Sequence, residues 1–187
     1  VEETKRMLQF KPRFYEGFLR LGIYYLQLQD FSNALENFEK YHNLINSKES
    51  MYYLGFGLSK MNRHLESIKY FKKLYEDYPQ WENSYKGLIN SYLSNYMISE
   101  LYEFLNDFFL KNGFKKNPDY FSSVFYEISL YYCKTNNFEA ALESLEKAES
   151  IFKPSTATQF LKAKIYYIQN RFEDCFKILK DLSLIDK

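Results

Sequence analysis

Breakers and reactive side chains are scarce in this chain. Six glycines and four prolines among 187 residues are too few for a fold of many short strands joined by tight turns. Two cysteines, Cys133 and Cys175, and two histidines, His42 and His64, exclude a disulfide framework and every Cys/His zinc spacing. No metal and no cofactor is therefore expected. The formal net charge is +1, from 25 basic and 24 acidic residues, so the counterion release that drives nucleic-acid binding has no basic excess behind it. No apolar run reaches 18 uncharged residues. The richest stretch, GFLRLGIYYLQLQ, is broken by Arg20, and membrane insertion is not expected. Low cysteine use and the lack of an Asn-x-Ser/Thr acceptor point to the cytoplasm. The chain starts at Val1, inside a helix-like pattern, and reads as a fragment or processed product.

What the chain has in quantity is aromatic surface, with 19 tyrosines and 18 phenylalanines. Large side chains and few breakers suit long stacked helices with wide interfaces. One phrase recurs: QDFSNALENFEKYHNLIN from Gln29, NNFEAALESLEKAESIFKP from Asn136, and NRFEDCFKILKDLSL from Asn170. In the second copy, Phe138, Ala141, Leu142, Leu145, Ala148 and Phe152 form one apolar stripe of a helix of about four turns. Asn136 or Asn137 is placed to cap its start, Pro154 lies past its end, and Glu143 stands four residues before Lys147. Upstream, Tyr120–Lys134 carries Phe125, Ile128 and Tyr132 on one face. The two segments make a helical hairpin across a short Thr-Asn-Asn link.

Equivalent hairpins recur along the chain. The markers Ala34, Ser67, Leu101, Ala141 and Cys175 are separated by 33, 34, 40 and 34 residues. A period near 34 denotes a helical solenoid, in which each unit buries its apolar face only by stacking on its neighbours. The residues that recur resemble those of tetratricopeptide repeats (TPR). They are Phe18, Leu21, Gly22, Tyr25, Ala34 and Phe38; Met51, Leu54, Gly55, Leu58, Ser67 and Phe71; Phe125, Ile128, Ser129, Tyr132, Ala141 and Leu145; and Ala163, Tyr166, Cys175 and Leu179. The resemblance implies an all-α, right-handed superhelical solenoid of antiparallel helix pairs. Its units would be residues 15–47, 48–81, 82–118, 119–155 and 156–187, the last open to continuation beyond the chain. Residues 1–14 would end a truncated preceding helix, with Pro12 in the position that closes a unit.

Two departures stand out. In the third unit Ile89 and Leu101 replace the small residues of the tight helix–helix contact, and an insertion around KNGFKKNP follows. Bulk at that contact, and Gly113 and Pro118 as helix breakers, lead to the expectation of altered superhelical curvature there. In the fifth unit Gln159 and Lys162 stand where apolar residues are usual.

Catalytic signatures are lacking, and the chain is not expected to be an enzyme. GFGLSK (55–60) lacks the order of a phosphate loop and follows no strand; Gly55 reads as a close-packed helix residue. His64 takes the place of Phe31, Phe138 and Phe172 and reads as packing. Cys175 takes the place of Ala34 and Ala141 and reads as a small buried side chain. Cys133 reads as an unactivated thiol.

The resemblance implies a non-catalytic protein–protein interaction scaffold that receives a peptide or helix of a partner in a concave groove lined by the first helix of each pair. Transferred to this sequence, groove residues include Arg20, Tyr52, Tyr53, Phe56, Lys60, Lys86, Asn90, Tyr126, Lys134 and Tyr167. Lys86 and Asn90 match the first pair of the family's carboxylate clamp, but Glu127, Ala157 and Leu161 occupy its remaining positions, so the clamp is rejected. An aromatic groove with a charged rim is expected instead. Some groove tyrosines could instead pack between adjacent first helices; binding is favoured for Tyr52 and Phe56, and for Tyr167 the two readings are equal. Two other roles follow from the sequence: self-association through the end helix carrying Leu182, Leu184 and Ile185, or recruitment for an enzyme encoded outside these residues.

Overall fold

The computed structural model describes residues 4–7, 14–113 and 116–185. Pro12, most of the 1–14 segment, and the side chains of Leu184 and Ile185 lie outside the described residues. Residues 4–7 are helical, and from Tyr15 onward ten helices follow among the described residues: α1 Tyr15–Gln27, α2 Phe31–Leu44, α3 Lys48–Lys60, α4 His64–Asp77, α5 Glu82–Ser94, α6 Ile98–Asn112, α7 Pro118–Lys134, α8 Phe138–Ile151, α9 Thr156–Ile168 and α10 Phe172–Ile185. No strand occurs among the described residues. The chain divides into two compact units, Val1–Met97 and Ile98–Lys187, and the division falls within the third sequence repeat.

Each helix pair is joined by three residues whose middle member is left-handed: Gln29 (φ 58°), Asn62 (57°), Tyr96 (55°), Asn136 (57°) and Asn170 (60°). At each link the left-handed residue donates its N–H to the carbonyl three residues before it, as in Gln29 to Leu26. The next residue reaches back five, as in Asp30 to Tyr25, Arg63 to Leu58, and Arg171 to Tyr166. This double closure satisfies the last carbonyls of the first helix and reverses the chain. Asparagine tolerates the conformation because its short polar side chain bonds locally. Asn136 therefore terminates α7, and it is Asn137 that caps α8, its side chain accepting from the Ala140 N–H.

The starts of α3 and α9 carry reciprocal capping boxes, Ser47 with Ser50 and Ser155 with Thr158. Gly113, at φ 68°, follows the end of α6. Pro118 does not interrupt a helix; it opens α7 at the first turn, where its missing N–H would have no partner anyway.

In the first unit, consecutive helices pack against each other, and α3 also packs on α5. Two phenylalanine rings form the ladder of its core. Phe38 of α2 lies between Gly22 of α1 and Gly57 of α3; Phe71 of α4 lies between Gly55 of α3 and Gly87 of α5. A glycine on each side lets neighbouring helices close directly onto a ring, and both rings are buried, at 0% and 2% exposure. Ser67 of α4 joins α3 to α5, donating to the Gly55 carbonyl at 2.8 Å and meeting Ser91 Oγ at 3.1 Å.

In the second unit α8 packs between α7 and α9, and α9 carries α10. Ala141, Leu145 and Ile165 form its central cluster, with Tyr126, Phe138 and Leu161 packed around them. The apolar stripe of α8 runs through Ala141, Leu145 and Ala148, all fully buried, whereas Phe152 lies past the helix end and is exposed. Ser144 shares the buried face. Its hydroxyl donates to the Ala140 carbonyl and meets the Tyr102 hydroxyl of α6 at 2.9 Å. The Glu143–Lys147 pair forms at 3.1 Å on the outer face. Cys175 is buried, as its place among small residues implies.

Candidate interaction surface

Helix α3 exposes one face built by the spacing of Tyr52, Phe56 and Lys60, each a turn apart. Tyr52 and Phe56 stack with centroids 6.1 Å apart, and Lys60 Nζ lies 5.2 Å over the Phe56 ring. Tyr53, on the adjoining side, stacks on Phe38 at 5.3 Å and meets Tyr52 edge-on at 5.4 Å. Tyr52 is further wedged edge-on against Phe71 at 5.9 Å and Trp81 at 5.7 Å. Burial pushes its phenol pKa up, and the neighbouring Tyr53 adds to the shift. Tyr52 is thus a half-buried support, Phe56 is half-buried on the side of the row away from Trp81, and Lys60 is its exposed end.

Two cavities meet at that row. One, of about 290 Å³, lies between α3 and α5 and is lined by Tyr52, Phe56 and Lys60 together with Asn83, Lys86, Asn90 and Ser94. Lys86 pairs with Glu82 at 3.0 Å across one turn of α5. The other, of about 480 Å³, is an apolar trough between α1 and α3, lined by Ile23, Leu26, Phe31, Tyr53, Phe56 and Lys60. Phe56 and Lys60 belong to both. The first unit accordingly brings together Tyr52, Tyr53, Phe56, Lys60, Lys86 and Asn90 of the sequence-derived set; Arg20 is exposed on α1 but lines neither cavity.

In the second unit the remaining three residues take different places. Tyr126 is half-buried against the Ala141–Leu145–Ile165 cluster. Tyr167 is 62% exposed and meets only the edge of Phe172 among ring contacts of the described residues, at 5.6 Å. Lys134 borders a third cavity, of about 300 Å³, with Leu130, Cys133, Leu161 and Lys164.

Leu26 and Trp81 were not legible as surface residues from sequence. Leu26 follows Ile23 by three residues on α1, a spacing that finds it once the trough is known. Trp81 precedes α5 and has no periodic signal; it holds Tyr52 only through tertiary packing. Among the described residues no group of three or more His, Cys, Asp or Glu side chains is arranged to hold a metal ion. No helix among them is long and apolar enough to cross a membrane.

Successive antiparallel helix pairs with a period near 34 residues define a helical-repeat protein. Residues 49–80 and 122–153 each match the tetratricopeptide repeat family, and the chain as a whole has the fold of tetratricopeptide-repeat solenoids. MamA, from residue 41 onward, of Desulfovibrio magneticus RS-1 is 12% identical, covering 92% of this chain and 94% of its own, with a TM-score of 0.66. PilW, a widely conserved type IV pilus biogenesis factor, is 17% identical over 97% of this chain and 82% of its own, also at 0.66. YrrB, a TPR protein with an unusual peptide-binding site, is 18% identical over 85% and 79%, at 0.64. These likenesses establish the fold. No curated protein matches the chain in sequence.

Proposed function

We propose that the chain is a non-catalytic interaction scaffold whose first unit receives an extended segment or short helix of a partner protein along α1, α3 and α5. The carrying observation is that Phe56 and Lys60 line both adjoining cavities. A ligand apolar group in the trough and a polar group beside Asn83 and Asn90 would then contact one aromatic–cation pair. YrrB, with its peptide-binding site, supports a peptide as the kind of ligand this fold accepts. A pre-formed aromatic surface avoids much of the ordering cost of binding. The cytoplasm is the proposed setting, on the composition already described.

The test compares native-source affinity capture by the wild-type chain with capture by Phe56→Ala and by Lys60→Glu. Each side chain can be changed without touching Phe71 or Trp81. A partner lost in both variants, with helical circular dichroism unchanged, supports the surface. A partner retained at full yield by both removes it.

A second reading, self-association through α10, is favoured by one observation. Phe176 and Leu179 are 70% and 41% exposed, whereas the residues at the same places in the first two repeats, Leu35, Phe38, Ile68 and Phe71, are all buried at 6% or less. Sedimentation should then show a concentration-dependent dimer that Phe176→Glu abolishes. A monomer at every concentration removes this reading.

A further inference from the structure

The cavity of the second unit shares no lining residue with the two cavities of the first. Its floor is Leu130 of α7 and Leu161 and Ile165 of α9, and Phe138 of α8 closes one side. Lys134 and Lys164 stand on its rim, both exposed, and neither pairs with a carboxylate among the described residues. No acidic side chain lines it; Glu127 lies two turns before Lys134 on α7, outside the lining. At about 300 Å³ it is at the lower end of ligand pockets, sufficient for one large side chain. The pocket is thus apolar inside and positive at its mouth, in a chain whose total charge is only +1.

We infer that this pocket takes a single bulky apolar side chain of a partner peptide, Phe or Leu, whose flanking Asp or Glu residues reach Lys134 and Lys164. The inference rests on the reading of the chain as a peptide-binding scaffold, but on residues disjoint from the trough of the first unit. Opposite charge at a rim fixes ligand choice and encounter more than it adds affinity. The apolar anchor supplies the area, and the lysines reject basic competitors.

Cys133 makes the pocket measurable, because its thiol is in the wall. Burial pushes its pKa up while the Lys164 ammonium opposes that shift; the thiol is therefore a slow nucleophile rather than an activated one. An occupant covers it. In the full chain carrying Cys175→Ala, which places alanine where Ala34 and Ala141 stand, N-ethylmaleimide reports on Cys133 alone.

The probe is the capped pentapeptide Asp-Glu-Phe-Asp-Glu, against Asp-Glu-Ala-Asp-Glu, Lys-Lys-Phe-Lys-Lys and decanoate at equal concentration. The expected result is saturable slowing of alkylation by the first peptide alone, weakened about tenfold in apparent affinity by Lys134→Glu with Lys164→Glu. Slowing should also lessen with added salt. No slowing by the acidic Phe peptide, equal slowing by all three peptides, or slowing by decanoate alone overturns the inference. Repeating the titration in Phe56→Ala separates the two sites. Protection that persists there, when capture through the trough has failed, keeps this pocket and discards the first-unit reading. Loss of protection there overturns the independence of the pocket.

Discussion

Glu149 of α8 and Lys162 of α9 meet at 3.1 Å with only 16% and 15% of their side chains exposed. Gln159 Nε2 donates to the other carboxylate oxygen of Glu149. The two polar residues that depart from the repeat pattern in the fifth unit therefore share one partner on the preceding helix, and the departure is compensated.

Breaking that trio on one side strands a poorly solvated charge. Lys162→Leu should lower unfolding stability by about 2 kcal/mol, less than for a fully enclosed pair. Glu149→Leu with Lys162→Leu should recover most of the loss, because apolar replacement of both charges is often neutral. Urea titrations of the two variants check this; a double variant no more stable than the single one contradicts it.

Gln29 occupies a left-handed conformation at φ 58°, in which a side chain other than Gly or Asn is disfavoured. No described hydrogen bond holds its side chain. Gln29→Gly should raise stability by about 0.5–1 kcal/mol, read as a higher thermal midpoint. An unchanged or lower midpoint would show that Gln29 makes a compensating contact.

The phenylalanine ladder predicts unequal costs for the same change. A methyl at Gly87 would sit 2.2 Å from the Phe71 ring, whereas at Gly57 the nearest atom of Phe38 is 3.1 Å away. Alanine gains up to about 1 kcal/mol in helix propensity. Gly57→Ala should therefore be close to neutral, while Gly87→Ala should cost about 1–3 kcal/mol through overpacking. Equal denaturation midpoints would refute the ladder.

His42 bonds Ser50 Oγ at 2.9 Å and faces the edge of Tyr70. Burial lowers its pKa below the ordinary 6.5, with the Lys73 ammonium adding to the effect. The unfolded chain then takes the proton first, so the stability this neutral imidazole contributes is complete above about pH 6.5 and is lost as pH falls through the lowered value. Between pH 7 and 5 the wild type should lose more stability than His42→Gln, measured by urea midpoints. Parallel pH profiles would exclude His42 as the cause.

Sequence determined the repeat and its period, because each helix must carry an apolar stripe at 3.6-residue spacing and a small residue where two helices touch. Ala34, Ala141 and Cys175 were legible on those grounds, as was the aromatic row of α3. Ser67 shares the place of Ala34 and was legible too, but the burial of Ser144 was not. Ser144 becomes a core residue only because Ala140 offers a carbonyl and Tyr102, 42 residues away, a hydroxyl.

The same division holds for the links and the surface. A local pattern names asparagines near a helix end, but only the backbone path makes Asn136 the left-handed terminator and Asn137 the cap. Spacing along α3 set Tyr52, Phe56 and Lys60 on one face; packing by Phe71 and Trp81 then made Tyr52 a support and left Phe56 and Lys60 at the junction of two cavities. Periodicity is a property of one helix and is written in the chain, whereas a cavity is the space left between several helices and exists only once they have packed.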